Sequence, residues 1–183
     1  MESALIGSLT SSPVMHRHPE NPVLTWRDIP YSATLLFNPG VTKYQGKYVM
    51  VFRNDYGDFR GSGTFEGTNM GLAFSDDGVK WEVQPEPCFQ LSDRERASGG
   101  VVRAYDPRLT VIEGRCYMTF AVDTRHGVRG GTAVTEDFGA WEILNLTAPD
   151  NRNLVLFPER IGGRYVRLLP GPRHSPGAPS SLS

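Results

Sequence analysis

Cysteine is scarce: Cys88 and Cys116 are the only two in 183 residues. Two cysteines do not make a disulfide framework, and no Cys-x-x-Cys spacing is present to hold a metal. Both are expected to be small buried hydrophobes in a reducing compartment. Net charge is scarce as well. The 19 Lys+Arg nearly balance the 20 Asp+Glu and leave −1, which argues against nucleic acid or an anionic membrane as the main partner. No apolar run reaches the ~18 residues of a membrane-spanning helix. Residues 1–15 hold neither a basic nor an apolar signal region, so no secretory leader is expected there and the cytoplasm is the expected compartment.

Turn chemistry is abundant. Twenty Gly and 14 Pro disfavour long helices and favour many short strands. Hydrophobic residues at 39% and charged residues at 21% are enough for a packed core. The exception is the Pro/Gly/Ser-rich stretch 170–183, which contains His174 and is expected to be a disordered tail.

Internal repeats carry the architecture. Asn38-Pro39-Gly40 and the eight residues after it align without a gap to Asp106-Pro107-Arg108 and the eight after those. Each copy reads as strand, Gly turn, strand, and continues into an alternating strand: Tyr48-Val49-Met50-Val51-Phe52-Arg53 and Tyr117-Met118-Thr119-Phe120-Ala121. A shorter third copy starts at Phe157-Pro158 and turns at Gly162-Gly163. The Pro of each copy suits the first residue of a strand, where no ladder donor is needed.

A second unit also repeats. Gly71 to Glu82, with Asp77-Gly78 and Trp81, aligns to Gly131 to Glu142, with Asp137-Phe138-Gly139 and Trp141. The Asp can cap the turn backbone, Gly takes the positive-φ position, and Trp can staple the turn to the sheet. Together the units give four strands per roughly 50–68 residues, the pattern of a β-propeller blade. The expected fold is all-β, with about two to three blades in this chain. Innermost strands line a propeller's channel, so Asn38, Asp106 and Phe157 are expected at equivalent points around one funnel. Repeat copies that differ at equivalent positions mark a candidate site.

Seven motifs follow one another along the chain: Asn21-Pro22-Val23-Leu24, Phe37-Asn38-Pro39-Gly40-Val41, Val51-Phe52-Arg53, Ser75-Asp76-Asp77-Gly78 with Trp81, Tyr105-Asp106-Pro107-Arg108, Asp137-Phe138, and Asn153-Leu154-Val155-Leu156-Phe157-Pro158. As an ordered set over about residues 18–169 they resemble glycoside hydrolase family 130. The resemblance implies a five-bladed β-propeller and a β-mannoside phosphorylase, which uses inorganic phosphate to release α-mannose 1-phosphate with inversion. It makes Asp106 the catalytic acid, its proton passing through the mannose 3-hydroxyl. It gives Asn38 and Arg53 to the sugar, and Arg125 and Arg152 to phosphate. No metal and no organic cofactor are implied. The partners are a β-mannoside and phosphate, with no nucleic acid and no membrane, and a homo-oligomer is allowed.

The chemistry stands beside the name. A hydrolase needs two carboxylates across the scissile bond. A phosphorolytic enzyme needs one acid, because phosphate is already an anionic nucleophile and is held by cations. Arginines around an acid favour its ionised form, and bound phosphate is expected to offset that. Plainer readings compete. Asp106 could initiate a turn. Arg53 could pair with Asp55 or Asp58. Arg125 and Arg152 could be solvated loop cations. His126 has no second ligand at metal spacing. Trp81 and Trp141 read as sheet staples, and Trp26 could pack over the funnel mouth. Gly61-Ser62-Gly63 lacks the Lys-Ser/Thr of a phosphate loop.

Two other functions remain. A hydrolase on the same propeller would need a second carboxylate, such as Glu159 or Glu95, and a non-catalytic sugar-binding propeller would need none. The expected organisation is an N-terminal segment at 1–17, a partial propeller at 18–169 and the tail at 170–183. Family sites also draw a His and a further Asp from later blades, so this chain alone is expected to turn over weakly or not at all.

Overall fold

A computed structural model describes residues 14–58, 61, 63–90 and 100–169. The expected tail at 170–183 lies outside them, as do residues 1–13, Ser62 and Glu95.

The protein is all-β. Two four-stranded antiparallel sheets follow one another in the chain, each a meander of neighbouring strands. The first holds β1 (Leu35–Tyr44), β2 (Lys47–Tyr56), β3 (Gly67–Ser75) and β4 (Glu82–Val83). The second holds β5 (Val101–Ile112), β6 (Arg115–Thr124), β7 (Gly127–Thr135) and β8 (Glu142–Leu146). A two-stranded hairpin follows, β9 (Val155–Leu156) with β10 (Arg167–Leu168). The two sheets are thus the two sequence repeats, and the hairpin is the opening of a third.

Side-chain alternation decides how the sheets stack. Val49, Val51, Met70 and Leu72 of the first sheet meet Cys116, Met118, Phe120 and Val122 of the second in one buried cluster. Each fully buried side chain of this kind stabilises the fold by ~1.5–3 kcal/mol, so this shared face is the main cohesion between repeats. The opposite face of the first sheet, Met50, Phe52 and Ala73, is covered by Leu24, Ile29, Tyr31 and Ala33 from the segment before β1. The opposite face of the second sheet, Ile112, Tyr117 and Val134, receives Leu156 of the hairpin.

The repeated turns use the expected carboxylate cap. Asp77 Oδ1 accepts from the backbone N–H of Val79 and of Lys80, both at 2.8 Å, and these bonds pull the Asp77 carboxyl below its ordinary range. Asp137 Oδ1 accepts from Gly139 N–H at 2.9 Å. The Trp81 indole donates to the Gly78 carbonyl at 3.2 Å. One expectation is corrected here. Gly78 has φ 77°, but the equivalent residue of the second copy is Phe138 at φ 63°, not Gly139. The Phe138 ring is buried, set edge-on to Tyr44, Phe74 and Trp141. Packing between the sheets outweighs the ~1–2 kcal/mol cost of the left-handed backbone.

The prolines also differ from expectation. Pro39 and Pro107 do not begin strands. They sit inside β1 and β5, where the ladder register slips between Phe37 and Gly40 and between Tyr105 and Arg108. These are β-bulges, which tolerate a residue without an N–H and re-aim the side chain next to them.

Candidate active site

The bulges build the site. Each opens with a non-glycine residue in the left-handed region, Asn38 at φ 49° and Asp106 at φ 56°. Such strain collects where structure serves function. β1 and β5 meet backbone to backbone at this point. A Cβ on Gly40 would stand 2.9 Å from the Arg108 Cα and from the Pro107 carbonyl oxygen. Only glycine permits that approach, and the approach places the two bulges side by side.

As a result Asn38 Nδ2 donates to Asp106 Oδ1 at 2.9 Å. Arg53, on β2, donates to the same oxygen through Nη1 at 3.3 Å. Both bonds fall on Oδ1, and no hydrogen bond from a described residue reaches Oδ2. The Arg53 guanidinium packs against two rings, Phe37 at 4.4 Å and Tyr105 at 4.7 Å. Burial works against its charge, but bonds and charges from Asp55 and Asp106 outweigh it and raise its pKa. Arg53 therefore does pair with Asp55, as one plainer reading held, and contacts Asp106 at the same time.

A cleft of about 500 Å³ opens on Asp106, lined by Asn38, Pro39, Asp106, Pro107, Arg108, Arg152 and Asn153. Arg152 is thus brought to the acid. Arg125 is not part of the described lining; it sits at the β6–β7 turn, its N–H bonded to the Gly100 carbonyl and its stem over Gly100. His126 is exposed on the same turn, and the described residues contain no group of His, Cys, Asp and Glu suited to a metal. Glu159 is exposed on the third hairpin and outside the described lining. Trp26 stacks with Arg27 and does not line the cleft. Trp141 packs into the core between the sheets.

The third equivalent point is Asn153, not Phe157. Asn153 has φ 61° and lines the cleft with Asn38 and Asp106, whereas Phe157 pairs with Val166 in the hairpin. Side chains of the second sheet set this register: Thr119 donates to the Leu154 carbonyl at 2.9 Å, and Leu154 packs over Gly130. The third copy carries extra residues between Asn153 and its Gly-Gly turn, so matching Pro to Pro misplaced it. The available signal was Asn, a residue that tolerates the left-handed region, standing just before an apolar strand.

A second polar group is built on Tyr105, the neighbour of Asp106 on β5. Asp123 accepts from Arg103 Nε and from the Tyr105 hydroxyl, each at 2.6 Å. Burial first, then Asp123, raises the Tyr105 phenol, while Arg152 and Arg103 pull it back. Neither Tyr105 nor Asp123 was singled out from sequence.

Known proteins share this arrangement of sheets and motifs. The family model of glycoside hydrolase family 130, described as beta-1,4-mannooligosaccharide phosphorylase, matches residues 12–168. The β-1,4-mannooligosaccharide phosphorylase of Ruminococcus albus is 31% identical over 160 residues, covering 84% of this chain and 45% of the relative. The β-1,2-mannobiose phosphorylase of Listeria innocua is 31% identical over 98 residues, 53% of this chain and 26% of the relative. The Listeria enzyme's crystal structure with β-1,2-mannobiose superposes with a TM-score of 0.68 at 21% identity, covering 84% of this chain and 57% of that one. The chain spans less than half the length of these two sequence relatives. Its sheets follow the propeller-type fold of these structures, and the chain belongs to glycoside hydrolase family 130.

Proposed function

We propose that this chain carries part of the site of an inverting β-mannoside phosphorylase, built on two blades and the start of a third of a five-bladed propeller. The carrying observation is the cleft's charge content. Its described lining holds one carboxylate, Asp106, two arginines, Arg108 and Arg152, and no second carboxylate. That is the division of labour for phosphate as nucleophile: one acid for the leaving oxygen, cations for the attacking anion.

In this reading a phosphate oxygen attacks the anomeric carbon on the face opposite the departing sugar. Asp106 supplies the proton from Oδ2 to the leaving oxygen, through the mannose 3-hydroxyl. Asn38 and Arg53 orient the mannosyl unit and hold Asp106 Oδ1. Arg152 binds phosphate from the cleft wall, and Arg125 joins it from the β6–β7 turn. Phosphate is co-substrate, no cofactor takes part, and the reaction belongs to the cytoplasm. The names of the sequence relatives support a β-linked mannoside as substrate, with 1,4- and 1,2-linkages as the first to try.

The test is incubation of the protein with β-1,4- and β-1,2-mannobiose, with and without phosphate. Slow formation of α-mannose 1-phosphate that vanishes in Asp106→Asn supports the reading. Mannose release at equal rate without phosphate would make the protein a hydrolase. Saturable mannobiose binding with neither product would make it a sugar-binding propeller.

A further inference from the structure

Asp55 has the geometry of a residue that acts through another. It lies on β2 two positions from Arg53, on the same side of the strand. Its side chain is 2% exposed. Arg53 Nε donates to Asp55 Oδ1 at 2.9 Å and Nη2 to Oδ2 at 2.7 Å, a fork-to-fork pair. Thr68, the cross-strand partner of Asp55 on β3, donates to Oδ1 at 2.7 Å. The carboxylate is therefore fixed from two strands, and it fixes the guanidinium in turn.

The N–H count gives this a consequence. A guanidinium carries five N–H groups. Asp55 takes two and Asp106 takes one. Among the described residues, one N–H on Nη1 and one on Nη2 have no partner. The Phe37 and Tyr105 rings pack against the guanidinium at 4.4 and 4.7 Å, and the two-point bond to Asp55 fixes its rotation. A carboxylate so buried is costly unless paired, and among the described residues the Asp55 side chain bonds to Arg53 and Thr68 and to none of the cleft lining.

We propose that Asp55, held by Thr68, is the positioning residue of the site: it sets the rotation of Arg53 so that one edge meets Asp106 and the remaining N–H pair faces the sugar. This deepens the phosphorylase reading and rests on it for the identity of the ligand.

The test has one arm independent of that identity. In nitrogen-15 spectra the Arg53 Nε–H should give a resolved signal that exchanges slowly with water. Asp55→Asn should speed its exchange at least ~10-fold, and Thr68→Val should do so by less, while Asp106→Asn should leave it in place. Thr68→Val removes no charge, so it decides the matter if Asp55→Asn fails to fold. The second arm is the affinity for β-1,4-mannobiose in a double-mutant cycle. Arg53→Gln and Asp55→Asn should each weaken binding ~10-fold, and the double variant by no more than either alone. Slow Nε–H exchange that survives both Asp55→Asn and Thr68→Val, or additive losses in the cycle, would overturn the proposal. Absence of mannobiose binding by the wild-type protein would overturn the phosphorylase reading, with the spectra still deciding the role of Asp55.

Discussion

The Asn38 amide donates to the Asp106 carboxylate at 2.9 Å although 68 positions separate them in the chain. They belong to different sheets, and each heads a bulge at the same point of its repeat. The contact joins two copies of one structural device, one carrying the donor amide and the other the accepting carboxylate. Five predictions follow from this arrangement and its supports.

Asp106→Asn keeps the shape and hydrogen-bond capacity of the side chain and removes the acid. Any phosphorolysis should fall by ~10²–10⁴-fold, with the thermal midpoint nearly unchanged. Rate assays and calorimetry on the two proteins check this.

Asn38 holds a left-handed φ of 49°. Asn38→Gly should relieve that strain and leave the fold at least as stable, while Asn38→Ala should cost ~1–2 kcal/mol. Both should weaken mannobiose binding, because both lose the side-chain amide. Urea titration and calorimetric titration together separate the two effects.

Gly40→Ala should damage the site without touching a polar group. The new Cβ would press on the backbone of Pro107 and Arg108 at 2.9 Å, and the sheets must part to admit it. We expect a loss of ~1–3 kcal/mol and weaker mannobiose binding, measured by urea titration and calorimetric titration.

Phe138→Gly removes backbone strain and a buried ring at once. The ring packs on Tyr44 and Phe74 of the other sheet, so its loss should dominate, at ~2–4 kcal/mol net. A rise in the urea midpoint would show that the strain was the larger quantity.

Burial pushes the Cys88 and Cys116 thiols up to about 12. The neutral thiol is the form the fold accommodates. Well below pH ~8.5 the thiols are protonated whether the chain is folded or not, and nothing is lost. From about pH 8.5 up to about 12 the unfolded chain releases protons that the folded chain retains, so stability falls as pH rises. The urea midpoint should drop between pH 8 and 10, less so in Cys116→Ala. Iodoacetamide at pH 8 should label the fully buried Cys116 only after denaturation.

Strands, repeat order and turn carboxylates were legible in the chain because each follows from local rules. Alternation of Val49, Val51 and their neighbours needs only the two-residue period of a strand, and Asp77 caps a turn two and three residues away. Asp106, Asn38 and Arg53 stood out through the ordered motifs, and the fold brings the three together. Asn153 was missed because extra residues in the third copy broke the alignment, and a gapless repeat cannot show an insertion. Tyr105 and Asp123 were missed as site residues because nothing local distinguishes them from ordinary strand residues, whereas Asp55 was read only as an ion-pair partner of Arg53. Arg125 and Arg152 looked equivalent as loop cations, yet only Arg152 lines the described cleft.

The amino-acid order by itself determined an all-β chain of repeated four-stranded units, since period, turn residues and repeat spacing are short-range properties. The tertiary structure alone decided which residues share a cleft. That depends on how closely β1 and β5 approach, which is governed by one missing side chain at Gly40. It also depends on the bulges that turn Asn38 and Asp106 toward each other, and strand periodicity does not encode them.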